Sequence, residues 1–493
     1  MFRLNLKNTF VYTLLGFLPL SFSLIFTPFY TQYLSKVDYG LLNLFTIISG
    51  VLVPFFSLGI DQAFGFLYWD YNKDKKKFGE LISTTLYLVF FIGLIIIGLG
   101  FLTGPWLLRA WVKNGDQFTL WPFLTLSLIY PVFIITNRVL LYYYRNEEDI
   151  KRYSLLNIST LITITAGSII TVIYFKMGSI GAVEGRTIGF CVIVLLFLFY
   201  EIKKLSFVFN RNIAQSLIRM GGPLFFSTLV GSLAYVGDRI IIEQEGTLEV
   251  LGVYGFSVTI ASVVEILMGA LSNSLIPGIY KVILNENEEQ YANTNFQLFS
   301  FIYGVIAAVV LITAIITPFI KLFISPNFHE SILYIPLLCL SFVPRTFTQI
   351  FSLKFYKKKK TIYLLFLNIA YLAGISLSGI ILYYLIGMKG MALAVFLTAM
   401  INMLAAYRLS KKLDPFHFQF RKLYILLAII SVTIITLHFT LQTIEYSYIF
   451  YLLPLIVFIL ASITIFQEEF VGIKSYFFST LKKFSGIKNK TIE

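Results

Sequence analysis

Residues 81–103 read LISTTLYLVFFIGLIIIGLGFLT, twenty-three positions without one charged side chain. About 20 apolar residues in helical geometry cross the roughly 30 Å of hydrocarbon in a bilayer. No water is available there, so the backbone must satisfy its own hydrogen bonds, and a helix is the expected conformation. Working outward in both directions, runs of the same kind recur. They are expected at 8–34, 40–67, 81–103, 120–141, 153–175, 181–200, 219–242, 250–280, 296–320, 331–353, 361–386, 388–407, 422–441 and 446–466, fourteen in all. The fold class is therefore an all-α integral membrane protein. Composition agrees, with 58% hydrophobic and 13% charged residues, where soluble domains carry about 25% charged.

The first run follows Arg3 and Lys7, like a signal peptide, but it is too long and lacks a small-x-small cleavage site. It is expected to stay as helix 1. If the N-terminus is cytoplasmic, 29 of the 39 lysines and arginines fall in cytoplasmic gaps, 6 in outer gaps and 4 within spans. That bias places both termini on the cytoplasmic side. Basic loops facing an anionic leaflet account for the net charge of +14, and no nucleic-acid partner is expected, because the charges lie in short separated loops. Cys191 and Cys339 fall within spans and read as small buried hydrophobes.

No gap before the C-terminal tail exceeds about 20 residues, so the function is expected within the bilayer. Spans 1–6 (residues 1–218) and 7–12 (219–410) can be overlaid at an offset of 212 residues, pairing Gln32 with Gln244, Gly40 with Gly252, Ile48 with Ile260 and Tyr68 with Tyr280. This gives two pseudo-symmetric six-helix lobes, two further helices in 411–466 and a basic cytoplasmic tail at 467–493. Such repeats place a transport site between the halves.

The chain carries no P-loop, no Gly-x-Ser-x-Gly elbow and no His-Glu-x-x-His, and His329, His417 and His438 are widely scattered. No catalytic residue, metal or cofactor is expected, and the protein reads as no enzyme. The informative groups are ionisable side chains at membrane depth: Asp61, Arg138, Glu184, Arg186, Asp238, Arg239, Glu265 and Arg345. A charge at the centre of a span costs about 2.5–3.5 kcal/mol on insertion scales, so such residues face a cavity or a partner. Arg138, Arg186, Arg239 and Arg345 are candidate substrate-binding residues for an anion, since arginine stays protonated in a dry site and grips phosphate bidentately. Asp61, Asp238, Glu265 and Glu184 are candidates for ion coupling or salt bridges. Blander roles stand beside these. Arg138 could snorkel to the interface, Arg186 could pair with an acid, and Asp61 could form an inter-helix bridge. Asp238 and Arg239, adjacent on one helix, are not expected to face each other.

The segments Tyr33-Leu34-Ser35-Lys36-Val37-Asp38-Tyr39-Gly40-Leu41, Gly237-Asp238-Arg239-Ile240-Ile241-Ile242 and Leu251-Gly252-Val253-Tyr254, with the fourteen-span layout, resemble the Wzx-type flippases. These form the polysaccharide transport family of the multidrug/oligosaccharidyl-lipid/polysaccharide (MOP) exporter superfamily, which also contains the MATE transporters. The resemblance implies two lobes around a cationic cavity and alternating access. It implies an undecaprenyl-diphosphate-linked oligosaccharide, such as an O-antigen or other surface repeat unit, moved from the cytoplasmic to the periplasmic leaflet of the bacterial inner membrane. Membrane lipids, a polysaccharide polymerase and chain-length machinery are the further implied partners, around a monomer. Only Asp238-Arg239 is carried by motif; the other site residues rest on depth. Two alternatives remain: a MATE-like drug or cation antiporter, whose cavity should be dominated by acids, and a membrane polysaccharide polymerase or ligase, which would need a larger outer loop than 104–119.

Overall fold

The computed structural model describes residues 26–465 apart from 73, 114, 203–205, 286–287, 359, 361, 414–419 and 441–447. Most of the expected span 8–34 and the whole tail 467–493 lie outside the described residues. The α-helices are α1 (Lys36–Ser57), α2 (Ile60–Tyr71), α3 (Lys75–Trp111), α4 (Thr125–Asn146), α5 (Ile150–Ile169), α6 (Gly178–Glu201) and α7 (Arg211–Glu245). They continue as α8 (Leu248–Asn285), α9 (Glu288–Phe323), α10 (Ile335–Leu340), α11 (Phe342–Lys357), α12 (Ile362–Leu413), α13 (Arg421–Thr440) and α14 (Tyr448–Ile465). Among the described residues there is no strand.

Among the described residues, ten helices are long and apolar enough to cross a membrane, or eleven when the bent pair Pro326–Leu333 and Ile335–Lys357, angled at 46°, is taken as one span. The protein is thus a multi-pass membrane protein; of the remaining expected spans, the first lies largely outside the described residues, two are joined in α12, and the last is described only in part. The expected span 40–67 is broken: Leu58 and Gly59 adopt left-handed backbone, with φ of 44° and 74°, and divide α1 from α2. The spans 361–386 and 388–407 run together as α12, 52 residues long. A straight helix of that length would measure about 78 Å. Instead the chain reverses at Ile386–Gly387, where Gly387 takes φ +63°, a conformation open to glycine because it has no Cβ. Ser378 and Thr398 consequently meet, hydroxyl to hydroxyl, at 3.1 Å, although a straight helix would hold residues twenty apart at about 30 Å. Of the last expected span, 446–466, the structure describes α14, with Leu452–Ile465 as its apolar stretch.

The entry to α1 is fixed by its own sequence. Ser35 Oγ accepts from the Asp38 N–H at 3.1 Å and the Asp38 carboxylate accepts from the Ser35 N–H at 3.1 Å, a reciprocal cap that satisfies two otherwise orphaned donors. The other Asp38 oxygen accepts from Ser179 N and Oγ, at 3.1 and 2.7 Å, which ties the start of α6 to the start of α1.

At this same end, α1 lies against α8. A Cβ on Gly40 would collide with the Leu248 backbone, and one on Gly252 would collide with the backbone of Lys36. Small residues allow such approach where dispersion rather than water exclusion drives helices together. Beside this contact Tyr39, Phe256 and Phe328 form a three-ring cluster, with centroids 5.3–5.8 Å apart. Each pair contributes about 0.5–1.5 kcal/mol beyond area burial. The Lys36 end of the α1–α8 seam is therefore closed.

The opposite end is organised differently. The segment entering α7 is fastened to α3, with Asn210 Nδ2 donating to Glu80 at 2.8 Å and Asn210 N donating to Thr84 Oγ1 at 3.0 Å. Further along, α7 packs on α12.

Candidate functional site

Toward that opposite end, α1, α2, α4 and α7 separate around a cavity of about 690 Å³. Among the described residues its charged lining side chains are Asp61, Arg138 and Arg145, with Tyr142, Ser232 and Tyr235 among the polar ones. The volume lies within the range of about 300–1,000 Å³ usual for ligand sites.

The break at Leu58–Gly59 sets up the acidic member. It places Asp61 in the first turn of α2, where the exposed N–H groups favour a carboxylate. The Ser57 hydroxyl donates to Asp61 and itself accepts from the Gly59 N–H at 3.0 Å. Arg138 reaches Asp61 at 3.6 Å across the α2–α4 interface, with 48% of its own side chain exposed and only 2% of that of Asp61. Arg138 thus lines the cavity while its counter-ion is buried. Arg145 lies two turns further along α4 on the same face, its guanidinium 4.8 Å from the Tyr142 ring.

A second cluster lies within the α7–α8–α11–α12 group, around a small cavity of about 30 Å³ lined by Tyr235, Asp238, Arg239, Glu265 and Arg345, among others. Asp238 and Arg239 are in contact, at 3.5 Å from Oδ1 to Nε, which corrects the expectation that neighbours on a helix face apart. The carboxylate folds back along its own helix to accept from Arg239 N at 2.8 Å, and the guanidinium folds back to donate to the Tyr235 carbonyl at 2.8 Å. Tyr254 Oη secures the other Asp238 oxygen at 3.0 Å. Arg345 donates to Tyr371 Oη at 2.6 Å and lies 5.0 and 5.3 Å from the Phe342 and Tyr371 rings. Glu265 accepts from Tyr235 Oη at 3.2 Å.

Arg186 occupies a third place. Its Nε donates to Tyr130 Oη at 3.2 Å and its guanidinium lies 5.4 Å from the same ring, with Tyr30 and Tyr39 within electrostatic reach. Neither it nor the half-buried Glu184 forms an ion pair among the described residues. The four arginines are therefore distributed: Arg138 at the large cavity, Arg239 and Arg345 together, and Arg186 apart.

Sequence reasoning passed over Arg145, which it counted with a loop, and Tyr142 and Tyr235. The spacing of Arg138, Tyr142 and Arg145, four and then three residues apart, is the helical repeat that would have put them on one face. Lys389, counted in an outer gap, is instead buried, its Nζ donating to the His438 carbonyl at 3.3 Å.

This arrangement has the fold of the MOP exporters. The structure of the lipid II flippase MurJ in an inward closed conformation matches with a TM-score of 0.68 at 16% identity, covering 95% of this chain and 100% of that one. An inward-facing multidrug resistance MATE family transporter matches with a TM-score of 0.65 at 16% identity, over 80% and 94% of the two chains. A MOP superfamily transporter from Pyrococcus furiosus, reported to have a binding pocket of reversed polarity, matches with a TM-score of 0.60 at 16% identity, over 82% and 95%. The profile of the family described as polysaccharide biosynthesis protein matches residues 5–283. That is more than half of the chain, which belongs to this family. None of the curated proteins matches the sequence.

Proposed function

We propose that the protein is a flippase that carries an undecaprenyl-diphosphate-linked oligosaccharide from the cytoplasmic to the periplasmic leaflet by alternating access. The observation that carries this reading is the charge of the large cavity. Two guanidinium groups, Arg138 and Arg145, line it against one carboxylate, Asp61, and that carboxylate is buried. A water-accessible cavity with an excess of arginine suits a diphosphate, which each guanidinium can grip through two parallel hydrogen bonds. A cation antiporter would need the opposite balance, and no observation here favours a polymerase or ligase.

With the orientation given by the lysine and arginine bias, the closed Lys36 end of the α1–α8 seam is periplasmic and the cavity serves the cytoplasmic side of the bacterial inner membrane. The lobes of this reading are 1–218 and 219–410, with 411–466 and the tail appended. Membership of a polysaccharide biosynthesis family supports the class of substrate, as does the fold shared with a lipid II flippase. Arg138, with Arg145, is the loading site. Arg239 and Arg345 are a later one, and Arg186 faces the substrate once the Tyr39 seam parts. Asp61 and Asp238 act as counter-ions of their arginines, and Glu184 and Glu265 are left for ion coupling.

The test is reconstitution of the full chain in proteoliposomes with a fluorescent undecaprenyl-diphosphate oligosaccharide. Wild-type protein is expected to move it across the bilayer, and Arg138→Gln with Arg145→Gln to stop that movement. Equal rates in wild-type and empty vesicles, with efflux of a cationic dye instead, would replace this reading by that of an antiporter.

A further inference from the structure

Arg239 and Arg345 present an unusual combination. Arg239 is 5% exposed; the Nε–H of Arg345 is buried without a hydrogen-bond acceptor, and that of Arg239 has the Asp238 carboxylate at 3.5 Å but no hydrogen bond. Leaving a buried donor unsatisfied is costly, and both side chains line the small cavity. Glu265 lines the same cavity as Arg345, yet Arg345 has no ion pair among the described residues. An apolar setting ordinarily draws such a carboxylate and guanidinium together.

Tyr235 stands beside this carboxylate. Its hydroxyl donates to Glu265 at 3.2 Å. Its carbonyl accepts from Arg239 at 2.8 Å, and the Arg239 guanidinium lies 5.1 Å from its ring. The same side chain, 47% exposed, also lines the 690 Å³ cavity. One tyrosine therefore lines both cavities and contacts Glu265 and Arg239.

We propose that Tyr235 is a positioning residue that holds the Glu265 carboxylate off Arg345 and so keeps Arg239 and Arg345 available to an anion. This rests on reading the protein as a carrier of a diphosphate headgroup. The ligand chemistry is a phosphate or diphosphate group whose oxygens supply the acceptors that the two Nε–H groups lack. Without the Tyr235 hydroxyl, Glu265 turns to Arg345, forms the internal ion pair and competes with the anion.

The experiment is calorimetric titration of the purified full-length protein in detergent with inorganic pyrophosphate. Tyr235→Phe keeps the ring, and therefore the packing, while removing the hydroxyl. It is expected to weaken binding about tenfold, the loss of one hydrogen bond to a charged group. Glu265→Gln alone should bind more tightly than wild type, and Tyr235→Phe with Glu265→Gln should return to within about twofold of wild type, because the competing charge is gone. Unchanged binding in Tyr235→Phe overturns the inference, as does a loss that Glu265→Gln does not rescue, since a merely structural role would give that result. If wild-type protein binds no pyrophosphate, or if Arg138→Gln and Arg345→Gln both leave binding intact, the diphosphate reading itself fails and this inference goes with it. If those two variants weaken binding while Tyr235→Phe does not, the tyrosine's role alone falls.

Discussion

Gly40 and Gly252 occupy each other's mirror positions: Gly40 abuts the backbone of Leu248, and Gly252 abuts the backbone of Lys36. Both pairs of equivalent residues, Gly40 with Gly252 and Lys36 with Leu248, are separated by 212 positions in the sequence. Asn43 and Gly255, related by the same offset, also touch. Three contacts that map onto one another or onto themselves are what a two-fold relation between α1 and α8 requires. The seam closes because the two helices bring equivalent surfaces together.

Gly40→Val and Gly252→Val should therefore have matching effects. Each adds a side chain against backbone that has no rotamer to yield, and overpacking of this kind costs about 1–3 kcal/mol. An Asn43→Cys reporter, in a protein with Cys191 and Cys339 replaced, should react roughly tenfold faster with an impermeant thiol reagent applied from the seam side. Export should fall while the amount of protein in the membrane stays unchanged. A large effect from one glycine and none from the other would contradict the two-fold seam.

Arg138→Gln leaves the Asp61 carboxylate with the Ser57 hydroxyl as its remaining bonded side chain. Because Arg138 is half in water, the cost should lie near about 1–2 kcal/mol, below that of breaking a fully buried pair. Thermal unfolding in detergent should show a lower midpoint for Arg138→Gln, and recovery when Asp61→Asn is added. Transport should not recover in the double variant, which separates the stabilising role of the pair from anion loading.

Arg345→Ala should abolish transport without preventing membrane insertion, and Arg345→Lys should restore only part of it. Lysine keeps the charge but loses the planar fork that bonds Tyr371 and lies near the Phe342 and Tyr371 rings. Normal polymer export from an Arg345→Ala strain would remove that residue from the site.

Arg186→Gln should slow export yet leave pyrophosphate binding at its wild-type level, since Arg186 lies among tyrosines away from the large cavity. Titration and proteoliposome flux on the same preparation give both readings.

The sequence made the helical membrane class plain because hydrophobic length is a direct consequence of bilayer thickness. The motif around Ser35–Gly40 was legible as a signature but not in its purpose. The structure makes Ser35 and Asp38 a helix cap joined to Ser179, Tyr39 part of an aromatic cluster and Gly40 a contact point. The cap is a Ser-x-x-Asp spacing within one segment, whereas Ser179, Phe256 and Leu248, the partners of Asp38, Tyr39 and Gly40, lie far along the chain. Breaks at Leu58–Gly59 and Ile386–Gly387 escaped a reading based on apolar length, which does not register a change of direction inside a run. Depth singled out Arg138 and Arg345, yet it could not say that Asp61 faces one and that Tyr235 stands beside the other's cluster. Those neighbours are set by tertiary packing.

The unequal exposure of the arginines has a thermodynamic corollary. Salt ions screen charges that face water over about 8 Å at physiological ionic strength, and reach enclosed charges far less. Arg138, with nearly half of its side chain in the cavity, will hold an anion less firmly as salt rises, whereas Arg239, almost wholly enclosed, will be nearly indifferent. On the proposed reading, raising the ionic strength on the cavity side should therefore slow headgroup loading at Arg138 while leaving its hold at Arg239 nearly unchanged.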